Sequence, residues 1–442
     1  MLSSHPAPLL AARGEIVYFI DDPAGRGAEA CVHFPDGLLV VAEGRVLHCG
    51  PASELLSGLP ADARHIDWRG KLILPGFIDT HAHYAQTGII ASHGKQLSAW
   101  LEKYAYPAES RFADPAHAAA EAAFFCDQLL ANGVTTAMVF ATVHPASVDA
   151  LFEAARVRRM RLITGKVLMD RNCPEHLRDT AAGGEAQSRA LIEKWHGRER
   201  LAYAVTPRFA PTSTEEQMRG AGRLFAGFHE CPGLYLQSHL AEQRAEVDWA
   251  ARLYPDARSY LDIYERFGQV GARSVFAHCI WLDDEDRRCM AAHGAAMSFC
   301  PTSNLFLGSG LFDLAGARAR GLRVGLGSDI GAGTSFSPLQ TLNEAYKVLQ
   351  LAGQTLSPLE GFYLATLGGA RALYLEESIG SFAPGREADF VVLDPQATPL
   401  LARRMSRTAT LAERLFALAM LGDDRCVNAT YLLGEPTTPP LA

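Results

Sequence analysis

From about residue 72 onward, apolar runs of strand length alternate with Ala-, Glu- and Arg-rich segments of helical character, and no other feature constrains the fold as tightly. Strands that alternate with helices in this way pack as βα units around a parallel sheet. Candidate strands fall at 72–83, 135–140, 161–169, 201–209, 234–240, 274–280, 295–304 and 323–330, with helices such as 115–131, 147–158, 215–228 and 259–267 between them. Eight such units predict an α/β fold built on a closed (β/α)8 TIM-like barrel.

A barrel needs only ~250 residues, and the chain has 442, so a second, smaller unit is expected. Residues 14–72 hold short β-rich pieces at 15–20, 37–42 and 45–49, separated by Gly and Pro. After a helical stretch at 358–374 the same texture returns in GSFAPGREADFVVLD (380–394) and at 428–433. The economical arrangement is a small β-sandwich domain formed by residues 1–72 and 379–442, clasping a barrel of residues 73–378. The connection through 84–114 is long for a barrel loop.

Composition narrows the partners. A formal net charge of -8, from 41 basic against 49 acidic residues, repels phosphate backbones and argues against nucleic acid, but suits a neutral small molecule. The nine cysteines are odd in number and include no Cys-x-x-Cys pair, which argues for a reducing cytoplasm over a disulfide scaffold. The opening MLSSHPAPLLAARGE lacks a basic n-region, so no signal peptide is expected, and no apolar run reaches the ~18 residues of a membrane span. The Asn-x-Thr match at Asn428 then has no glycosylation role.

The chemistry-bearing residues gather at strand ends. In FIDTHAH, His81 and His83 stand two apart, so both imidazoles project to one face of a strand. Taken alone, a His-x-His is often chance. However, His239 closes the fifth candidate strand in LQSHLAE, His278 the sixth in VFAHCI and Asp329 the eighth in GLGSDIGAG. Barrel active sites assemble at these C-terminal strand ends. Four histidines and an aspartate there read as a metal site, since core histidines do not collect at one end of a sheet. Glu242, three residues after His239, is either an exposed residue at a helix start or a proton shuttle beside metal-bound water. His93, His144 and His196 fit no part of the constellation and read as structural or exposed.

The pattern resembles the amidohydrolase superfamily, in its single-metal deaminase branch, over the barrel and into both flanking β segments. PGFIDTHAH and GREADFVVLD look like that superfamily's entry and exit. The resemblance implies that His81, His83, His239 and Asp329 bind one zinc ion, with iron as the alternative, and that His278 orients the hydrolytic water. The two-metal branch carries a bridging Lys on strand four; VTPRF has none there, and Lys166 sits one strand early. The His-x-Glu…Pro-Cys-x-x-Cys signature of nucleic-acid deaminases is absent.

Within the superfamily, HAHYAQ, WLEKYAYPAE, VTPRF, SHLAE and SDIGAG are similar to the guanine deaminase family. That likeness implies a purine pocket built from His83, Tyr84, Ala85, Gln86, Trp100, Arg208, Phe209, His239 and Glu242, and a homodimer. The residue types suit purine binding, because an amide and a guanidinium meet ring nitrogens and an oxo group, and an aromatic ring stacks. On residue type alone, Arg208 paired with a rim carboxylate, Phe209 in plain core and Gln86 in a loop stay open. The implied reaction is hydrolysis of guanine to xanthine and ammonia, a step of purine catabolism, with Glu242, His278 and Asp329 catalytic. The alternatives are a deaminase or dechlorinase of an s-triazine, an oxidised guanine or a thiolated purine nucleoside, and a non-enzymatic relative. The last is disfavoured because every ligand is kept.

Overall fold

The computed structural model describes residues 9–94, 96–227 and 233–437. The opening MLSSHPAP, where a signal peptide would begin, and Phe228, the expected end of one helix, lie outside the described residues.

The barrel strands are β1 (Phe77–His83), β2 (Val134–Phe140), β3 (Arg161–Gly165), β4 (Leu201–Pro207), β5 (Tyr235–Leu240), β6 (Ser274–His278), β7 (Ala296–Phe299) and β8 (Arg323–Leu326). They lie in sequence order, each parallel to the next. A short extra strand, Val167–Leu168, pairs with the end of β4. The ring closes at the mouth: the Asp329 N–H donates to His81 O (2.8 Å) and the His83 N–H to Ile330 O (2.6 Å).

Helices cover the outside for local reasons. Pro115–Ala131 starts behind the Asp114 cap with Pro at its first position, and buries Ala118, Ala122, Phe125, Cys126 and Leu129 at helical spacing. Inside, Ile78, Met138, Ile163, Ala204, Tyr235, Val275 and Ala296, one from each of β1 to β7, form an apolar layer with Ala370, Leu373 and Ile379. This plug seals the N-terminal end. The C-terminal mouth stays open, as in barrel enzymes generally.

The second sheet has seven strands in the order Glu435–Pro436, Val427–Leu432, Phe390–Leu393, Arg64–Pro75, Leu10–Phe19, Cys31–Ala42 and Arg45–Pro51. Late strands thus pair with early ones, Phe390 lying opposite Pro75 in an antiparallel register. Two expectations are corrected. The single strand at 72–83 is two, because Arg64–Pro75 belongs to the small sheet and the chain turns at Gly76. A side chain at Gly76 would collide with Thr135, 2.1 Å from its Cβ. The seventh strand at 295–304 stops at Phe299, and Pro301–Phe306 is helical, as Pro at the first helical position favours. Between the late strands, Pro399–Met405 and Leu411–Leu421 are helices; the second packs on the barrel's Pro338–Leu351, with Phe416 5.0 Å from Tyr346.

The long 84–114 connection is a chain of short helical turns, Tyr84–Ile89, Leu97–Trp100, Leu101–Ala105, Tyr106–Ser110 and Arg111–Ala113. Among the described residues, no helix is long and apolar enough to cross a membrane.

Candidate metal centre and its pocket

Strand ends deliver the cluster. His81 and His83 come from β1, His239 from β5, and Asp329 from the turn after β8, with one ligand atom of each within 4.8 Å of all the others. Asp329 Oδ1 lies 3.3 Å from His81 Nε2 and 3.4 Å from His83 Nε2. His83 Nε2 faces His239 Nε2 at 3.0 Å. His239 Nδ1 sits 2.7 Å from the carbonyl of Arg208, which sets its tautomer and turns the Nε2 lone pair inward. The Phe140 ring packs against all three imidazoles.

This donor set fits a divalent cation. His81 Nε2 is buried without a hydrogen-bond partner, and two imidazole nitrogens face each other across a carboxylate. Burial, reinforced by the neighbouring imidazoles, holds His83 and His239 well below the ordinary histidine pKa, so both are neutral as ligation requires. Burial alone would raise the Asp329 carboxyl, but His81, His278 and His83 hold it well below the usual range. Three neutral imidazoles and one carboxylate are zinc-type ligands.

His278 closes β6 beside the cluster, its Nε2 3.8 Å from Asp329 and 3.6 Å from Glu242. Its Nδ1 is 2.9 Å from Asn304 Oδ1, which aims the other nitrogen into the site. That Nε2 is also buried without a hydrogen bond. Glu242 is 2% exposed and accepts from Ser309 Oγ (2.8 Å). Burial, with Glu246 nearby, pushes its carboxyl up to about 7. Glu246 in turn accepts the backbone N–H of Glu242 (2.9 Å) and the Tyr260 hydroxyl (2.7 Å).

These groups open into a small pocket at the barrel mouth. His83, Gln86, Trp100, Arg208, Phe209, His239, Glu242, His278 and Asp329 line it, together with Leu97, Leu101, Glu246, Leu307 and Ala332. The Trp100 indole N–H donates to Ser92 O (3.1 Å), leaving its ring as cover, and Phe209 lies edge-on to Trp249. The side chains of two expected members, Tyr84 and Ala85, do not line the cavity. The Tyr84 hydroxyl donates to Ser147 O (2.7 Å) with its ring against Phe112 and Phe125, and Ala85 packs in the same outer core. Both side chains leave the pocket because the chain coils into a 3-10 turn directly after His83.

Of the remaining histidines, His93 is exposed, and the His196 Nδ1 accepts from the Tyr203 N–H. Lys166 is buried against Asp179 and does not line the cavity. Sequence reasoning missed Glu109, Glu246, Asn304 and Ser309. Only Glu109 left a signal, as the last residue of the WLEKYAYPAE segment.

The amidohydrolase family model matches residues 72–437. The guanine deaminase of Escherichia coli is 50% identical over 430 residues, covering 97% of this chain and 97% of that protein. A solved structure of E. coli guanine deaminase superposes with a TM-score of 0.94 at 49% identity, covering 98% of this chain and all of that one. A guanine deaminase from C. acetobutylicum, crystallised with guanine in its active site, superposes with a TM-score of 0.87 at 28% identity over 97% of this chain and 100% of that one. Their likeness extends through both the barrel and the small sheet, and the chain belongs to the amidohydrolase family, among its guanine deaminases.

Proposed function

We propose that the chain hydrolyses guanine to xanthine and ammonia, and that it does so in the cavity over the His81, His83, His239 and Asp329 cluster. The observation that carries the reading is the position of Glu242: a buried carboxyl, raised to about 7, beside a donor set for a metal and within a pocket offering a guanidinium, an amide and an aromatic ring. Amidohydrolases are metal-dependent, and His81, His83, His239 and Asp329 would hold the ion, zinc in this reading with iron as the alternative. A divalent ion there supplies Lewis acidity that makes water nucleophilic at neutral pH.

The protein's own groups do the rest. Phe209 stacks on the purine, while Arg208 and Gln86 hydrogen-bond its polar edge and present C2 to the cluster. Asp329 accepts a proton from the attacking water, and His278, fixed by Asn304, holds the oxygen in line. Water oxygen adds to C2 as Glu242 gives a proton to N3, so negative charge does not build on the ring. As the tetrahedral carbon collapses, the now ionised Glu242 takes the proton of the C2 hydroxyl and passes it to the amino nitrogen, the C2–N bond breaks to release ammonia, and the proton held by Asp329 restores Glu242. A carboxyl poised near neutrality is suited to both transfers.

The reading extends to a cytoplasmic homodimer in purine catabolism, with no nucleic-acid or membrane partner. The net charge of -8 supports the absence of nucleic acid. Ammonia release from guanine by the metal-loaded protein, beside adenine, cytosine, ammeline and 8-oxoguanine, tests it. Xanthine from guanine is the expected product. Turnover of a different ring alone would overturn the substrate, and metal-replete protein inert on all five would overturn the deaminase.

A further inference from the structure

Resting on that reading, we infer that Glu109, which does not itself line the cavity, is the positioning residue that sets which hydrogen-bonding groups Arg208 and Gln86 show to the ligand. Glu109 is 1% exposed, and its carboxylate is divided between the two. Oε2 accepts from Arg208 Nη1 at 2.6 Å, and Oε1 accepts from Gln86 Nε2 at 2.9 Å. The pair with Glu109 is the ion pair that Arg208 makes among the described residues. Tyr106, one turn earlier on the same Tyr106–Ser110 helix, puts its ring 5.2 Å from the Arg208 guanidinium carbon. One face of a short helical turn therefore grips the guanidinium by both charge and ring.

The consequence for Gln86 is chemical. An ionised carboxylate only accepts, so the amide end facing Glu109 must be Nε2. The atom left for other partners is Oε1, an acceptor, which lies 3.3 Å from the Gly331 N–H. Arg208 has one nitrogen committed, and its remaining N–H groups are donors. The pocket wall then offers a fixed donor beside a fixed acceptor. This pairing complements an edge on which an oxo oxygen adjoins a ring N–H, as O6 and N1–H do in guanine. Without Glu109 the amide is free to turn over, and the guanidinium loses its partner in a site where an unpaired charge is costly.

Glu109→Gln and Glu109→Asp, each metal-loaded, are compared with the wild type. Guanine kinetics are measured, along with calorimetric binding of hypoxanthine, which keeps the 6-oxo group and N1–H, and of purine, which lacks both. Glu109→Gln is expected to raise KM for guanine on the order of 10- to 100-fold, with a smaller fall in kcat. Hypoxanthine weakens in step, and purine stays within about twofold. Glu109→Asp keeps the charge but is too short to span both partners, so it shows the same pattern at lower amplitude. It also carries the comparison if the Gln variant does not fold. Unchanged KM in a folded, metal-replete variant would overturn the inference, and so would equal weakening of hypoxanthine and purine, the mark of a merely structural role. Wild type inert on guanine, with the calorimetric pattern intact, would sink the substrate reading and leave the positioning role standing.

Discussion

The backbone N–H of Asp329 donates to the carbonyl of His81 at 2.8 Å, so the last strand of the barrel meets the first at the metal cluster itself. With the His83 N–H on Ile330 O, this bond sets the spacing of three of the four candidate ligands by main chain alone. Ring closure and assembly of the donor set are one event. Gly327 makes the close approach possible, since a Cβ there would lie 2.5 Å from Ser298 Oγ and 3.0 Å from His81 Cβ. Gly327→Ala is therefore expected to cost about 1–3 kcal/mol as overpacking and to lower metal occupancy with it. Elemental analysis beside thermal unfolding checks this, and unchanged values of both would show that the strand ends have slack.

Removing a ligand should act on the metal before it acts on the fold. His81→Ala and His239→Ala each delete a buried donor of the cluster, and His81 also helps keep the Asp329 carboxylate ionised. Both variants are expected to keep native circular dichroism, to lose most of the bound metal, and to fall to background activity. Full metal content in either variant would remove that histidine from the coordination sphere.

Much of this centre was legible in the chain because strand ends are where sequence and geometry coincide. Each ligand candidate sits at or just beyond the C-terminal end of a barrel strand, and the barrel aligns those ends at one mouth. The pocket was less legible, for physical reasons. Tyr84 and Ala85 follow His83 directly, yet a 3-10 turn rotates them into the outer core, which period-two reasoning does not foresee. Arg208 lines the cavity and also pairs with a carboxylate. That carboxylate, Glu109, lies 99 residues earlier in a segment with the look of surface helix, and only the packing of 84–114 over the mouth buries it. The break at Gly76 was hidden because strands of two different sheets run on with one residue between them.

Glu242 should trade stability for function. Burial lifts its carboxyl from an ordinary 4.5 to about 7. Between those values the unfolded chain has released the proton and the folded one has not, so stability falls as pH rises through the window. Above it the full cost applies, roughly 3 kcal/mol from the size of the shift. Glu242→Gln removes the ionisation. In metal-free protein, urea unfolding at pH 8 should find the variant more stable by about that amount, and the advantage should vanish near pH 4.5. In loaded protein, kcat should drop on the order of 10²–10⁴ through lost proton transfer. An advantage of equal size at both pH values would mean that the carboxyl does not titrate in this range.

Lys166 separates a one-metal centre from a bridged pair. It follows β3 fully buried, its ammonium hydrogen-bonded to Asp179 and 3.3 Å from Val167 O. Burial pushes the lysine down and the aspartate up, so each group is charged at the expense of solvation and depends on the other. Lys166→Met leaves Asp179 largely buried and unpaired, which should cost about 3 kcal/mol of folding stability. The lysine does not line the cavity, so bound metal and kcat on guanine should both stay within about twofold of the wild type. Loss of bound metal without loss of stability would place Lys166 in a bridging role, and the single-ion centre would have to be redrawn around it.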